Sequence, residues 1–270
     1  MKNRSLLQNN FEPLHLVFMG LGGVVILFII APLLGMFLKT SPYEILETAG
    51  DKEVINSIWL TLWTAMAGAL FFAIVAVPFA YLLARKEFPF KRLVSGIIDL
   101  PIVVPHSAAG IAILGFISRD SLLGQAVEPL GLNLVGSPIG IIAAMSFVSI
   151  PFLINAARDG FVAVPERLEK AALNLGASPI RVFLTISLPL AWRSILSGLI
   201  LMWARGMSEF GAVVIVAYHP MISPILIYER FSSFGLKYAR PISVLFLCVC
   251  LAIFILLRLL SGRRENVTRR

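Results

Sequence analysis

The chain has 270 residues, of which 58% are hydrophobic and 14% are charged, and its formal net charge is +8. Because soluble domains carry about 25% charged residues, this composition excludes a soluble protein and predicts a membrane protein. The sequence contains no phosphate-binding loop of the form G-x-x-x-x-G-K-S/T. Any ATP chemistry is therefore expected to belong to a separate chain.

Six segments are long and apolar enough to cross a bilayer, which takes about 20 residues. Their approximate bounds are 14–38, 56–84, 94–117, 136–157, 189–217 and 240–260. The first segment is too long for the apolar core of a secretory signal peptide, so we expect it to be retained as a span. The sequence thus predicts an all-α membrane protein with six transmembrane helices. They form one transmembrane domain over residues 1–270, without an ATPase or regulatory domain.

Lysine and arginine are distributed unevenly between the two sides of the predicted spans. Sixteen of the 23 lie in the two tails and in the second and fourth connections, six lie in the other connections, and Arg205 lies within a span. Since cytoplasmic loops carry an excess of these residues, both termini are predicted to be cytoplasmic in a multi-pass protein of the cell membrane. The positive charge is then explained by topology, so the lipid bilayer is an expected partner and nucleic acid is not.

The last connection on the opposite side, residues 218–239, is longer than the others. Its central part, residues 224–236, is amphipathic and predicts a short helix. Such a helix would either lie at the lipid surface or contact a partner, and the sequence does not distinguish these alternatives.

The third span combines polar residues with two prolines. Pro101 and Pro105 each remove a backbone donor and disfavour a helical residue before them, which predicts a bend. Backbone carbonyls freed at a bend need protein or water around them, so this segment is a candidate pathway or gate. For Asp99 a position at the membrane interface is favoured, since it follows Arg92 by only seven residues. The candidate residues are Asp99, Pro101, Pro105, His106, Ser107 and Gly110.

The fifth span contains an arginine and a glutamate four residues apart. Arg205 and Glu209 can reach each other on a helix, and ionisable residues within spans usually face the bundle interior or a water-filled path. They form either a structural ion pair or part of a polar stretch beside the translocation path, with Gly206 and Gly211 permitting close helix packing. No metal site is expected, because the three histidines lie apart in the predicted topology, and no catalytic constellation is found. The pathway candidates here are Arg205, Ser208 and Glu209.

Residues 164–189, between the fourth and fifth spans, are too polar to cross the membrane. Pro165 suits the first position of a helix, and Gly176 suits the left-handed conformation that ends one. Between them the spacing predicts an apolar stripe of Leu168, Ala171, Ala172 and Leu175. Ser178–Pro179 predicts a second helix start, and Leu188–Pro189 predicts a third at the mouth of the next span. This 164–189 loop is expected to hold two short helices joined by a tight bend, a shape suited to docking.

The spacing A-A-x3-G-x9-I-x-L-P in this loop resembles the EAA loop of ABC importer permeases. Strict alignment places Lys170 in the glutamate position of that motif and Glu169 one place earlier. One residue turns a side chain by about 100° around a helix, so which of the two holds the acidic place is left open. The resemblance implies that residues of the loop dock on an ATPase, namely Glu169, Lys170, Ala171, Ala172, Gly176, Ser178, Ile186, Leu188 and Pro189.

Other stretches resemble the sulfate, molybdate and tungstate branch of these permeases. They are DLPIVVPHSAAGIAILG in the third span, SEFGAVVIVA in the fifth, where Ser208 replaces a glycine, and PILIYERFSSFGL in the last outer connection. The last of these is most similar to molybdate/tungstate members. The resemblance implies a type I ABC importer permease fold and import of a tetrahedral oxyanion, molybdate or tungstate, with sulfate or thiosulfate as the alternative.

The resemblance also implies a set of partners for a chain that is not itself an enzyme. These are a second copy of the chain, two cytoplasmic ATP-binding subunits that hold ATP and magnesium, and an extracytoplasmic substrate-binding protein. No cofactor is expected in this chain. A stand-alone secondary transporter is less favoured, because such proteins often show inverted repeats and none is seen here.

Overall fold

The computed structural model describes residues 13–262, with side chains over residues 15–256. In chain order the helices are α1 (Pro13–Leu38), α2 (Pro42–Gly50), α3 (Lys52–Arg85), α4 (Lys91–Val103), α5 (His106–Ile117), α6 (Leu122–Val127), α7 (Pro138–Ala163), α8 (Glu166–Asn174), α9 (Pro179–Val182), α10 (Leu188–Met207), α11 (Val213–Val216), α12 (Ser223–Phe234) and α13 (Leu236–Gly262). A π-helical turn, Phe183–Ser187, joins α9 to α10. Most of the basic residues of the two tails, used above to predict orientation, lie outside the described residues.

Within residues 13–262, five helical stretches are long and apolar enough to cross a membrane. They are α1, α3, α7, α13 and the continuous helix Pro179–Met207 made of α9, the π-helical turn and α10. The pair α4 and α5 gives a sixth if it is counted as one broken span. The all-α membrane fold is therefore confirmed, with bounds that differ from the predicted ones mainly in the fifth span.

The bend predicted in the third span is confirmed and lies at one of the two prolines. The axes of α4 and α5 differ by 110° at Val104–Pro105. Val104 has an extended backbone with ψ of 133°, as expected for a residue that precedes proline. Pro101, by contrast, lies inside α4 without ending it. The polar segment of this span is thus divided between the end of one helix and the start of another.

The predicted helix start at Leu188–Pro189 is wrong, and so are the predicted bounds of the fifth span. The helix begins at Pro179 and runs through Pro189 to Met207. In the π-helical turn before it, the Leu188 N–H donates to the Phe183 carbonyl five residues back. This wider turn accommodates a proline without ending the helix. After Met207 the chain leaves the helix and only Val213–Val216 is helical again before residue 217.

The chain divides into two compact units. One contains α1, α2 and α13, and within it α2 packs against α13. Helix α2 begins with a capping box: the Glu44 N–H donates to Ser41 Oγ at 3.2 Å, and the Ser41 N–H donates to the Glu44 carboxylate at 2.8 Å. The backbone hydrogen bond from Ser41 lowers the pKa of Glu44. From His15 to Leu34 the side chains of α1 are largely exposed, as expected for a helix surrounded by lipid.

The other unit, residues 52–232, is built around α3, α7 and α10, which pack closely along their length. Small residues allow this approach. A Cβ added at Gly68 would lie 2.3 Å from Ser146 Oγ, and one added at Gly198 would lie 2.9 Å from Ala156 Cβ. This three-helix core supports both groups of predicted site residues.

The predicted short helix at 224–236 is present as α12, but it is not confined to a surface. Its first turn packs against α3, with the Ser223 N–H donating to Thr61 Oγ1 at 2.8 Å. Ile225 and Leu226 are fully buried. The helix therefore begins inside the bundle, and neither of the two surface positions considered for it describes its first turn.

Candidate functional site

The 164–189 loop folds as a short helix that ends in a tight glycine turn. Helix α8 begins after Pro165. This proline is the N-cap residue of the helix, whereas the sequence predicted it at the first helical position. At its end the Ala177 N–H donates to the Ala172 carbonyl and the Gly176 N–H donates to that of Leu173. This pair of bonds is a Schellman motif, and Gly176 has the required positive φ of 88°. The predicted glycine stop is confirmed.

The second helix of the loop starts where the sequence predicts. The Ser178 side chain accepts a hydrogen bond from the Arg181 N–H at 3.3 Å, and Pro179 occupies the first turn. This helix continues into the span, so α8 is the only separate helix in the loop. One continuous helix therefore joins the end of the loop to the span that ends at Met207.

Glu169 joins α8 to two other elements of the unit. Only 6% of this residue is exposed, and its carboxylate accepts a bifurcated hydrogen bond from Arg85 Nε–H and a second bond from Arg85 Nη2, at 2.8–3.0 Å. It also accepts from Ser187 Oγ at 2.7 Å and from Tyr81 Oη at 3.2 Å. Arg85 Nη2 donates in addition to the Val164 carbonyl at 2.9 Å. One carboxylate thus connects α8 to the end of α3 and to the π-helical turn before α10.

The charge of Glu169 is secured by the same contacts. Burial raises the pKa of its carboxyl, but the hydrogen bonds from Arg85 and Ser187 and the charge of Arg85 outweigh burial, so the net effect lowers this pKa. Lys170, the next residue, points outward and pairs with Glu166 at 2.8 Å, both side chains being more than half exposed. Among the two alternatives left open by the sequence, the inward-facing residue is therefore Glu169.

Large apolar side chains are exposed on α8 and α9. Leu175 is 89% exposed and Ile180 is 73% exposed, and Leu168 and Leu173 are exposed as well. Ala171 is exposed and Ala172 half-buried, so the predicted stripe faces away from the bundle. Of the remaining predicted docking residues, Gly176, Ser178 and Pro189 are exposed and Ile186 and Leu188 are half-buried. We call the surface of Leu168, Leu175 and Ile180 the apolar face of the loop.

The second group of predicted residues is brought together at the two helix breaks. His106, at the start of α5, lies 2.9 Å from the Glu209 carboxylate through Nδ1. Arg205 Nη2 lies 2.9 Å from the same carboxylate and 2.9 Å from His106 Nε2. Arg205 Nη2 also lies 3.1 Å from His106 Nδ1, so the guanidinium is close to both ring nitrogens. The predicted Arg205–Glu209 contact is confirmed, and His106 joins it.

Two glycines allow this arrangement. A Cβ added at Gly211 would lie 2.7 Å from His106 Cβ, and one added at Gly110 would lie 2.8 Å from the Ala212 carbonyl oxygen. At Gly206 the nearest atom, Ala65 Cβ, would lie at 3.4 Å, an ordinary contact. Close packing was therefore predicted correctly for Gly211, whereas Gly206 does not require it.

Asp99 and Ser107 lie apart from this cluster. Asp99 is half-buried near the end of α4 and accepts a hydrogen bond from Asn155 Nδ2 at 2.7 Å, which ties α4 to α7. Ser107 follows His106 and is exposed. The sequence-predicted residues of the third span thus divide between a contact with α7 and the polar cluster at the break.

Sequence reasoning missed the residues that hold Glu169. Arg85 was counted only as a topological charge, and Tyr81 and Ser187 were not considered. The ring of Tyr81 packs edge-on against Phe161 and Phe183, with centroids 5.2 and 4.9 Å apart. The available signal was a tyrosine and an arginine four residues apart at the end of a long apolar helix, where each can place its polar group next to the loop.

Comparison with known proteins identifies the family of this helical membrane protein. A family model for binding-protein-dependent transport system inner membrane components matches residues 76–266, and the chain belongs to this family. It is 47% identical over 251 residues to a molybdate/tungstate transport system permease protein of Thermococcus kodakarensis, covering 92% of this chain and 96% of that protein.

More distant relatives extend the comparison. A molybdate/tungstate permease protein of Methanocaldococcus jannaschii is 42% identical, covering 89% of this chain and 94% of that one. A probable sulfate permease protein of Zygnema circumcarinatum is 30% identical, covering 92% and 88%. Among solved structures, a bacterial ABC transporter for alginate import matches with a TM-score of 0.72 at 17% identity, covering 93% of this chain and 96% of that one. That match shows the shared fold of ABC importer permeases.

Proposed function

We propose that the chain is the membrane-spanning subunit of an ABC importer that moves a tetrahedral oxyanion, molybdate or tungstate, into the cytoplasm. The family membership and the relatives that are 42–47% identical support this function. The sulfate permease relatives are less similar, at 28–32% identity, so sulfate is the second candidate. The full assembly would contain two copies of this chain, two ATP-binding subunits and an extracytoplasmic binding protein.

The observation that carries the proposal is a rigidly held helix with an exposed apolar face. Helix α8 ends in a Schellman motif and is held to the bundle by Glu169, while Leu175 at its end and Ile180 on α9 are exposed. Exposed apolar patches commonly mark protein contacts. In the proposed assembly the 164–189 loop lies in the cytoplasm and its apolar face seats in the ATP-binding subunit.

The buried contacts of Glu169 supply the mechanical link. When ATP binding draws the ATP-binding subunits together, α8 moves with its seat. Arg85 would then transmit the displacement to α3, and Ser187 to the helix that ends at Met207. Because a buried ion pair with several hydrogen bonds holds one geometry, little of the displacement is lost within the loop.

The docking role is tested by placing a charge on the apolar face. In Leu175→Asp we expect the ATP-binding subunit to be lost from the purified complex, since a carboxylate cannot be desolvated there without a partner. The matched control is Leu122→Asp, on α6, because Leu122 is also 89% exposed but lies outside the loop. Unchanged recovery of the ATP-binding subunit with Leu175→Asp would refute docking through this face.

A further inference from the structure

A polar surface lies open beside the fully buried Glu209. The side chains of His106 and Arg205 are 40% and 22% exposed, and Ser107 and Ser208 are exposed as residues. We call these four residues the intramembrane polar patch. All four belong to the same compact unit and lie at the start of α5 or at the end of α10.

The intramembrane polar patch lies far from the ends of the neighbouring helices α3 and α7. The neighbouring Gly206 faces Ala65 of α3 and Met145 of α7, with added-Cβ distances of 3.4 and 3.6 Å. Both residues are at least seven residues from the nearest end of their helices, which is about 10 Å. Charged and polar side chains at such depth face water or protein, since lipid does not solvate them. The patch is therefore expected to border an aqueous path.

The charges of the patch favour weak binding of an anion, which can then dissociate from it. Glu209 is held in place behind Arg205, because its carboxylate also accepts the Ala212 N–H at 2.9 Å. Arg205 offers five N–H donors in a fork that matches an oxyanion, and Ser208 Oγ lies 3.4 Å from its Nη1. Because Arg205 is already paired with the Glu209 carboxylate, its attraction for a second anion is weaker. Transport sites need this balance between entry and release.

We propose that Arg205, with the hydroxyls of Ser107 and Ser208, is a transient contact for the tetrahedral oxyanion on the translocation path. Glu209 is the fixed counter-charge that keeps this contact weak. His106 is a positioning residue that holds Arg205 and Glu209 at the bend between α4 and α5. The proposal rests on the proposed import of an oxyanion and identifies where this chain touches it.

The test uses the complete complex in proteoliposomes, with tungstate uptake and ATP hydrolysis measured together. Arg205→Gln is expected to reduce tungstate transported per ATP hydrolysed by about tenfold, the contribution of one hydrogen bond to a charged group. Arg205→Lys, which keeps the charge, should lose less. Arg119→Gln is the matched control. Arg119 is also an arginine with an exposed position, but it lies outside the patch and donates to Asn133 Oδ1.

The opposite charge change gives a second, independent readout. Glu209→Gln removes the counter-charge, so binding of tungstate to the detergent-purified complex without binding protein should become about tenfold tighter by calorimetry. The double variant with Arg205→Gln should lose this gain. Unchanged tungstate per ATP in Arg205→Gln would overturn the proposal. So would lower thermal stability in both single variants with unchanged transport per folded complex, which is the behaviour of a structural pair.

The outcome for the unchanged complex separates this inference from the proposed function. If wild-type proteoliposomes import no tetrahedral oxyanion at the expense of ATP, the proposed function fails and this contact fails with it. If they import tungstate while every Arg205 and Glu209 variant behaves as wild type, only the contact is overturned.

Discussion

Replacing Glu169 by alanine should release helix α8 from the bundle. The substitution leaves Arg85, whose side chain is 9% exposed, without its counter-charge. Removing one partner of a buried ion pair destabilises by about 3–5 kcal/mol. Glu169→Gln should be milder, at about 1.5–3 kcal/mol, because an amide oxygen can still accept one of the hydrogen bonds from Arg85.

The loss should appear first as local opening of the loop, because α8 is short and its outer face is free. Amide hydrogen exchange of the purified chain, without the ATP-binding subunits, measures this opening at the bonded amides of Leu175, Gly176 and Ala177. A loss of about 3 kcal/mol corresponds to roughly 100-fold faster exchange if opening is local. ATP hydrolysis should continue in the ATP-binding subunits but drive less oxyanion uptake.

Glu166→Ala is the matched control, since this carboxylate lies on the same helix and pairs with Lys170 in solvent. An exposed pair contributes little, so exchange should change little. A further control is Glu169→Leu with Arg85→Met, which leaves no buried charge unpaired and should be less disruptive than Glu169→Ala alone. Equal exchange in Glu169→Ala and Glu166→Ala would refute the anchoring role of Glu169.

Three further predictions concern the glycines and the pH dependence of the loop. Gly176→Val should destabilise by about 1–2 kcal/mol through its positive φ alone, since no atom lies within 4 Å of an added Cβ. Gly176→Asn should be tolerated better, and thermal melting of the complex with uptake assays checks both variants. Gly211→Ala should destabilise by about 1–3 kcal/mol through its clash with His106, whereas Gly115→Ala, with open space around it, should melt as wild type. Burial raises the pKa of Glu169, but the hydrogen bonds from Arg85 and Ser187 outweigh burial and lower this pKa below the usual 4.5. The stabilisation by Glu169 is therefore complete above pH 4.5 and is lost as the pH falls through the lower pKa of the folded state. High protection factors of the α8 amides at pH 5, which fall only in stronger acid, would agree with this.

Local sequence rules predicted the local geometry well. The glycine stop at Gly176, the cap at Ser178 and the extended residue before Pro105 follow from backbone conformations that one or two residues determine. The Arg205–Glu209 contact was predicted from helical spacing and is present, although α10 ends at Met207 and Glu209 lies beyond it. These features could be predicted because each depends on residues close together in the chain.

The parts that sequence reasoning missed depend on distant residues or on competing local choices. Arg85 meets Glu169 across 84 residues, and His106 meets Glu209 across 103, so no local pattern predicts either contact. Pro189 follows the rule for a helix start, yet the π-helical turn before it offers another way to accommodate the missing N–H. Packing of the whole unit decides between such alternatives.

We propose that this chain imports a tetrahedral oxyanion only when ATP-binding subunits drive it through the 164–189 loop. The most direct measurement is ATP hydrolysis and uptake by the reconstituted complex with its binding protein, compared across molybdate, tungstate and sulfate. We expect loaded binding protein to stimulate both activities, more with molybdate or tungstate than with sulfate, and we expect the purified chain alone to transport none of them. Uptake by the chain alone, without ATP or partners, would contradict it.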